Sequence, residues 1–373
     1  MSIKKKIRLG ILGSRGIPNR YGGYEQFAQY LSEGLVQRGH EVWVYNSSLH
    51  PYQASSFQGV HLIHCFDPEN RLGSFGQFVY DYNCLRDARS RPFDILFQLG
   101  YTSSAIWYPL WPKRMIQVMH MDGLEWKRSK YSRKVQQFLL RMEKIAALRA
   151  DALIADSRAI EDYIRDTYQK EAQFIPYGTK SKIEAKAIHL QEYGLEQGKY
   201  ALLIARFVPE NHLEEIIQGV VNSHYDKPLI LIGAADQNFG KHLQEKYASK
   251  QIRFLGSIYD QEKLDSLRYF AQLYFHGHSV GGTNPSLLEA MACEVPICAH
   301  DNVFNRSVLG ENAHYFSDSA TLSGLLDQAS YTSRHAKWVK RNQERIGAQY
   351  QWAQIISAYE NFFLQLLADS SEP

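Results

Sequence analysis

The sequence predicts an α/β protein built as two doubly wound, Rossmann-like domains with parallel sheets. Three observations carry that prediction. First, short β-rich runs alternate with helix-length segments, the pattern of strands covered by helices on both faces. Second, the runs form two series. Ile7–Leu12, Glu41–Tyr45, Val60–Phe66, Asp94–Leu99, Met115–His120, Ala152–Ala155 and Gln173–Ile175 make the first. Tyr200–Ala205, Pro228–Gly233, Ile252–Leu255, Leu273–Phe275, Pro296–Ala299 and Ala313–Phe316 make the second. Third, 373 residues exceed what one hydrophobic core usually serves. The joint falls near Tyr177–Lys199, giving a first domain at 1–180, a second at 181–350 and a terminal helix segment at 351–373. That last helix, roughly Trp352–Leu367, puts Ile355, Ile356, Tyr359, Phe362, Phe363, Leu366 and Leu367 on one stripe, which must be buried.

Composition narrows the classes. No apolar run reaches the ~20 residues of a membrane span. Ile7–Leu12 follows a basic start but is too short for a signal segment and ends in a glycine loop. Cys65, Cys84, Cys293 and Cys298 lack metal-ligand spacing and read as buried thiols, so a cytoplasmic protein with no metal is expected. The net charge of +3 hides an asymmetry. Residues 1–180 carry 25 Lys+Arg against 17 Asp+Glu, and the rest of the chain is acidic. The excess is densest from Lys113 to Arg149, beside Trp107-Tyr108-Pro109-Leu110-Trp111. Such a patch suits an anionic membrane surface or is a solvated helix face. No nucleic-acid module accompanies it, so nucleic acid is not an expected partner.

The densest chemistry lies in Leu273–Pro296. A buried strand end runs into Gly277-His278-Ser279-Val280-Gly281-Gly282-Thr283-Asn284, and a helix follows over Ser286–Cys293. Asn284 suits the N-cap and Pro285 the first helical position. Strand, glycine loop and helix N-terminus make an anion site. Glu289, one turn inside, could meet hydroxyls beside a phosphate. Gly277–Gly281 also fits G-x-S-x-G, the nucleophile elbow of serine hydrolases. That elbow starts its helix just after the serine. Pro285 would then fall in the second turn, at a cost of ~3 kcal/mol, so the elbow is disfavoured.

Other strand ends add candidates. Gly13-Ser14-Arg15-Gly16-Ile17-Pro18 and Arg20-Tyr21-Gly22-Gly23-Tyr24-Glu25 follow the first strand. The glycines do not spell G-x-G-x-x-G and the second strand ends in Tyr45-Asn46, so a nicotinamide dehydrogenase is disfavoured. Gly22 and Gly23 let backbone approach a ligand, with Arg15 and Arg20 as nearby cations. His120, Asp122, Glu125, Lys127 and Arg128 cluster at a strand's C-terminal end, where open α/β sheets bind ligands. Arg206 stands at the end of the second domain's first strand, placed to pair with a phosphate.

Together these residues resemble the family 4 glycosyltransferases, retaining enzymes of the GT-B fold. The resemblance rests on Gly22-Gly23-x-Glu25, Arg38-Gly39-His40-Glu41-Val42, Arg206 with Pro209-Glu210, and Leu288-Glu289-Ala290-Met291-Ala292. It is most similar to a subgroup that includes bacterial rhamnosyltransferases. Arg15-Gly16-Ile17-Pro18, Asp122-Gly123-Leu124-Glu125-Trp126-Lys127-Arg128 and Gly281-Gly282-Thr283-Asn284-Pro285-Ser286-Leu287-Leu288-Glu289 carry that likeness.

The resemblance implies two domains facing a cleft, with the C-terminal helix crossing back to the first. It implies a nucleoside diphosphate sugar on the second domain and a glycan or polyprenyl-linked acceptor on the first. Glu289 is expected on the ribose hydroxyls, Arg206 on the diphosphate, and Gly22 and Gly23 at the donor phosphate or sugar. The backbone of Gly282, Thr283 and Asn284 is expected at the leaving group, with Asp122 and His120 orienting sugar or acceptor. Two positions depart from the family. Its usual lysine five residues after the arginine is Asn211 here, kept as a donor-site candidate, and its usual glutamate eight residues before Glu289 is Gly281. Lys127, Arg128, Arg15 or Arg20 are the candidates for the missing charge. The expected donor sugar is L-rhamnose, most readily as dTDP-L-rhamnose, or another hexose, and the setting is bacterial surface polysaccharide synthesis. Two other classes stay open: a sugar-nucleotide epimerase of the same fold, and a non-catalytic lipid- or polyanion-binding protein.

Overall fold

The computed structural model describes residues 6–20, 22–121, 123–128, 130–236, 238–328 and 334–370. They divide into two compact units. One comprises Met1–Trp126, Arg133–Tyr177 and Trp352–Pro373, the other Lys127–Ser132 and Gly178–Gln351. Lys127–Ser132 thus belongs with the second unit although sequence order sets it within the first.

The first unit holds β1 (Arg8–Leu12), β2 (Glu41–Ser47), β3 (Ser56–Phe57), β4 (Val60–Cys65), β5 (Ile95–Leu99), β6 (Ile116–His120), β7 (Ala152–Ala155) and β8 (Gln173–Phe174). Their order is β3-β4-β2-β1-β5-β6-β7-β8. All neighbours are parallel except β3, which forms a short antiparallel pair with β4 that strand patterning did not reveal. The second unit holds β9 (Ala201–Ile204), β10 (Leu229–Ile232), β11 (Ile252–Phe254), β12 (Leu273–His276), β13 (Ile297–His300) and β14 (His314–Phe316). Its order is β11-β10-β9-β12-β13-β14, a doubly wound sheet whose direction reverses between β9 and β12. Such a switch point opens a crevice at the strands' C-terminal ends. Register matters here: Leu273 pairs with Ala201 and Phe275 with Leu203, so β9 and β12 end level.

The helices used below are α1 (Gly23–Gln37), α2 (Arg133–Arg149), α3 (Gln261–Tyr269), α4 (Pro285–Ala292) and α5 (Trp352–Asp369). The apolar stripe of α5 packs within the first unit. Tyr359 and Phe363 are fully buried there, Tyr359 against Phe27 and Phe97 and Phe363 against Phe97. Gly34 of α1 leaves room for that approach: a Cβ would stand 2.4 Å from Ile356 Cδ1 and 3.1 Å from its Cγ1 and Cγ2, so Ile356 would have to shift. Glu360 closes the contact, accepting from Arg38 Nη1 at 2.7 Å and lying 2.8 Å from His40 Nε2. The segment Arg38–Val42 quoted above therefore anchors the last helix. All four cysteines are free and buried. Among the described residues, no helix is long and apolar enough to cross a membrane.

Candidate functional site

At the switch point of the second unit, two loops leave the level ends of β9 and β12. Arg206 is exposed just past β9. Its carbonyl accepts from Val208 N at 2.9 Å and from Asn211 Nδ2 at 2.8 Å, winding the chain into a tight turn. Asn211 is buried and its amide is committed to that carbonyl. It shapes the arginine's loop, where a donor contact had been expected.

The second loop is fastened to the first. Gly277 lies so close that a Cβ would stand 1.9 Å from the Asn211 carbonyl oxygen. Ser279 donates from N at 3.2 Å and from Oγ at 3.0 Å to the Glu210 carbonyl. The hydroxyl of the G-x-S-x-G pattern is thus a loop fastener, and the helix begins six residues later. Ser279→Ala should leave the protein's activity within a few fold of wild type, and reaction of Ser279 with a fluorophosphonate would contradict this reading.

Helix α4 starts as its sequence dictates. Asn284 is extended and its Oδ1 accepts from Ser286 N at 2.9 Å, with Pro285 at the first position. Gly282 and Asn284 are half-buried and Thr283 is buried. Gly281 sits at φ 133°, and a Cβ there would meet nothing within 4 Å. Space is therefore open where the resembling enzymes carry a glutamate, and the backbone angle itself suits glycine.

Glu289 has a partner the sequence did not reveal. Arg268 of α3 is 2 % exposed, and its Nη2 lies 2.6 Å from Glu289 Oε2, whose side chain is 17 % exposed. Asp265 Oδ1 is 3.4 Å from Nη1, and Ser286 Oγ is 3.4 Å from Nη2. Tyr274 OH in turn sits 2.7 Å from Ser286 Oγ. Burial works against the guanidinium's charge, but Glu289 first, then Tyr274, Cys293 and Asp265, outweigh it and hold Arg268 above its ordinary value. The only sequence trace was Asp265 and Arg268 at i,i+3, which reads equally well as a surface pair.

Lys127 and Arg128 precede a backbone contact to the same loops: Lys130 N donates to Glu210 Oε1 at 3.1 Å. His278, half-buried on the glycine loop, is pushed down to about 3 by desolvation first and then by Arg206, Arg128 and His212. Arg206 and Arg128 therefore act on one point of the second unit.

The first unit has its own loops at strand ends. After β1, a Cβ on Gly13 would stand 2.4 Å from the Leu99 carbonyl oxygen, and one on Gly16 2.3 Å from Asn46 Cγ. Asn46 clamps the loop, with Oδ1 accepting from Ile17 N at 3.1 Å and Nδ2 donating to Ile17 O at 2.8 Å. An asparagine here, where a dehydrogenase would have an acid, is explained by that two-way grip. Glu25 is buried and accepts from Arg15 N at 2.9 Å. The Arg15 guanidinium is engaged by both oxygens of Glu69. Arg20 is exposed. Gly22 and Gly23 are exposed at the start of α1. Gly22 is extended at φ −172°, and a Cβ there would meet only Glu25 Oε2, at 3.7 Å. The fold itself makes no demand for glycine at Gly22.

His120 ends β6 inside a wall of Tyr24, Phe27 and Phe97. Burial pushes it down to about 4. Asp122 lies outside the described residues. The loop beyond is tied by Tyr101, whose hydroxyl lies between the Gly123 carbonyl (3.1 Å) and Glu143 Oε2 (3.0 Å). Glu143, buried in α2, also accepts from Tyr163 and Tyr168 at 2.7 and 2.6 Å.

Histidines whose charged form burial disfavours make stability depend on pH, and His300 and His335, both pushed down to about 4, act in the same direction as the three that follow. His120 and His278 are held near the values above, and His276 is pushed well down by burial, His278, Arg268 and His300. An unfolded histidine titrates near ~6.5. Between that value and the folded ones, the unfolded chain binds more of these protons. Stability therefore falls as pH falls, by about 1.4 kcal/mol per pH unit for each proton. Buried Asp81, pushed up to about 7, opposes with one proton. Urea midpoints should decrease from pH 7 to pH 4.5, and a flat profile would contradict the burial of neutral imidazoles.

Comparison with known proteins bears on the fold and on the second unit's segment. Residues 186–329 match the family model described as Glycosyl transferases group 1. Residues 6–180 match a domain of unknown function, DUF1972. No curated protein matches in sequence. Among solved structures, a sucrose-phosphate synthase from Thermosynechococcus elongatus superposes with TM-score 0.80 at 18 % identity, covering 98 % of this chain and 100 % of that one. HepE of Anabaena in complex with UDP gives 0.72 at 14 % identity, covering 96 % and 100 %. A glycosyltransferase from Rickettsia africae gives 0.69 at 11 %, covering 98 % and 99 %. The chain thus has the GT-B fold, and the matches support a glycosyltransferase whose group 1 segment carries Arg206, the glycine loop and Glu289.

Proposed function

We propose that the chain is a retaining, family 4 glycosyltransferase that moves a sugar from a nucleoside diphosphate donor to a glycan or lipid-linked acceptor. The observation that carries this is the second unit's switch point. There Arg206, a capped helix N-terminus and Glu289 lie together in the group 1 segment. The HepE structures, complexes with UDP and with UDP-glucose, support a nucleotide sugar as donor.

In this reading Glu289 accepts from the free hydroxyls of the nucleotide's sugar, which in a dTDP donor is the 3′-hydroxyl alone, and Arg206 pairs with the diphosphate. Arg128 supplies the second cation, supported by its field at His278 and by the neighbouring Lys130–Glu210 bond. Arg15, occupied by Glu69, is not assigned to phosphate. As the C1–O bond breaks, its electron pair goes to the departing phosphate oxygen. Arg206, Arg128 and the N–H groups of Gly282–Asn284 meet that charge. The acceptor hydroxyl attacks C1 from the same face and gives its proton to the departing oxygen. Electrostatic stabilisation then does most of the catalysis, and neither a protein nucleophile nor a metal is required. His120, neutral at pH 7, orients the sugar or acceptor by hydrogen bonding, with Asp122 assigned the same task. Close approach of the donor is the reason assigned to Gly22 and Gly23.

The donor is proposed to be dTDP-L-rhamnose. The open space beside Gly281 supports it: without a carboxylate there, a hexose loses an acceptor for its hydroxyls, whereas a 6-methyl has none to satisfy. Burying an unpaired hydroxyl costs ~1–3 kcal/mol. With dTDP-L-rhamnose, UDP-glucose and GDP-mannose at equal concentration, the first should be consumed ~10- to 100-fold faster. Preference for either hexose donor would overturn the choice of sugar.

The acceptor is proposed to be polyprenyl-linked, met at the inner face of the cell membrane during surface polysaccharide synthesis. Helix α2 supports this: it exposes Arg133, Lys134, Arg141, Lys144 and Arg149 together with Val135, Leu140 and Leu148. Tyr108, under Arg149, and Ile106 are exposed beside it. The protein should sediment with anionic liposomes and be released by salt. Equal sedimentation with neutral liposomes, or none with either, would contradict membrane docking by charge.

A further inference from the structure

Arg268 has no role in the reading above, yet it is the most deeply buried charge in the second unit's site. Its guanidinium is enclosed by α3, α4 and β12, with Nη2 2.6 Å from Glu289 Oε2 and Asp265 and Ser286 at the edge of hydrogen-bond reach. Nε finds no partner among the described residues. Burying an ion pair costs several kcal/mol per ion, and an apolar pair of similar volume often serves the fold as well or better. A buried arginine with one donor unsatisfied is therefore poor evidence of a purely structural need. Its shortest bond goes to Glu289, whose side chain is 17 % exposed and so reaches the surface.

That bond has two consequences for Glu289. A permanent cation at 2.6 Å favours the ionised carboxylate, which only accepts hydrogen bonds and so suits hydroxyl donors. It also fixes Oε2 toward the interior, so the carboxylate plane is set before any ligand arrives. Preorganisation of this kind saves the ordering cost of binding.

We infer that Arg268 is a positioning residue of the donor site: it clamps the Glu289 carboxylate so that it recognises the sugar hydroxyls of the nucleotide, without itself touching the ligand. This rests on the donor-site reading proposed above. Arg268 should then control the part of nucleotide affinity that comes from those hydroxyls and no other part.

Calorimetry on the full chain with UDP and dTDP, each against its 2′,3′-dideoxy counterpart, separates the possibilities. Wild type should bind at least one hydroxylated nucleotide ~10- to 100-fold more tightly than its dideoxy form, the worth of a hydrogen bond to a charged group. In Arg268→Met that ratio should fall to near 1, with affinity for the dideoxy form unchanged. Arg268→Lys should recover part of the ratio. Should Arg268→Met alone unfold, Arg268→Met with Glu289→Gln removes the stranded carboxylate. It should fold and show the ratio of Glu289→Gln by itself. Wild-type ratio in the folded variants, or equal loss for both forms, would overturn the inference while leaving the donor site standing. Failure of wild type to bind any of these nucleotides would instead overturn the donor-site reading, and this inference with it.

Discussion

Arg206→Ala should lower turnover by ~100- to 1,000-fold and leave thermal unfolding unchanged. The size follows from its place. A preorganised donor aimed at charge that develops in the transition state is worth ~100–1,000-fold in rate. The neutrality toward stability follows from exposure: the side chain lies at the surface past β9, and the turn it heads is held by its carbonyl, which alanine retains. Surface changes away from buried features usually stay within ~0.5 kcal/mol. Arg206→Lys should recover only a fraction, because an ammonium cannot match a phosphate bidentately. Wild-type turnover in Arg206→Ala, or loss of the fold, would each remove Arg206 from the role assigned to it.

Gly277→Ala has the second large effect, and it strikes stability and activity together. The added Cβ would stand 1.9 Å from the Asn211 carbonyl oxygen and 3.0 Å from Ile216 Cδ1. Backbone must move, since no side chain can swing aside to relieve a clash with a carbonyl. Overpacking of this kind costs ~1–3 kcal/mol. The displaced segment is the turn Pro209–Asn211, which carries Glu210 and is bonded to Arg206 and Ser279. Shifting it moves Arg206 relative to α4, and a misplacement of ~1 Å at a reacting centre costs ~100-fold. The urea midpoint and the turnover should both drop. A variant with wild-type values of both would show that the two loops are not held in register by that contact.

What was legible in the sequence is what local chemistry decides. Asn284 and Pro285 announce the start of α4 because a cap and a donor-less first residue act within one turn. The stripe on α5 shows because helical period alone exposes it, and Tyr359 and Phe363 are indeed fully buried. Pro285 disfavours the hydrolase elbow for the same local reason, and α4 begins at Pro285, six residues after Ser279. The rest depends on partners far away along the chain. Arg15 reads as a phosphate cation until Glu69, 54 residues on, is seen to occupy it. Asn211 reads as a donor-site candidate standing where a cation is missing, and nothing local shows that its amide donates to the Arg206 carbonyl. Arg268 reads as a surface residue of an ordinary helix, because only the packing of α3 under α4 reveals that it is buried against Glu289. Glu143 carries no sequence mark at all, yet three tyrosine hydroxyls converge on it.

The most direct measurement is the fate of a labelled donor. Purified full-length protein is incubated with dTDP-L-rhamnose carrying label in the sugar, with and without a polyprenyl-linked acceptor. Nucleotide release and label transfer are followed together, and the anomeric configuration of the product is read by NMR. The expected result is acceptor-dependent transfer, one dTDP released per sugar moved, and an anomeric configuration matching that of the donor. Donor epimerised or hydrolysed at the same rate without acceptor, or a product of inverted configuration, would contradict a retaining transferase. Donor left intact with this and every other nucleotide sugar would contradict transfer altogether.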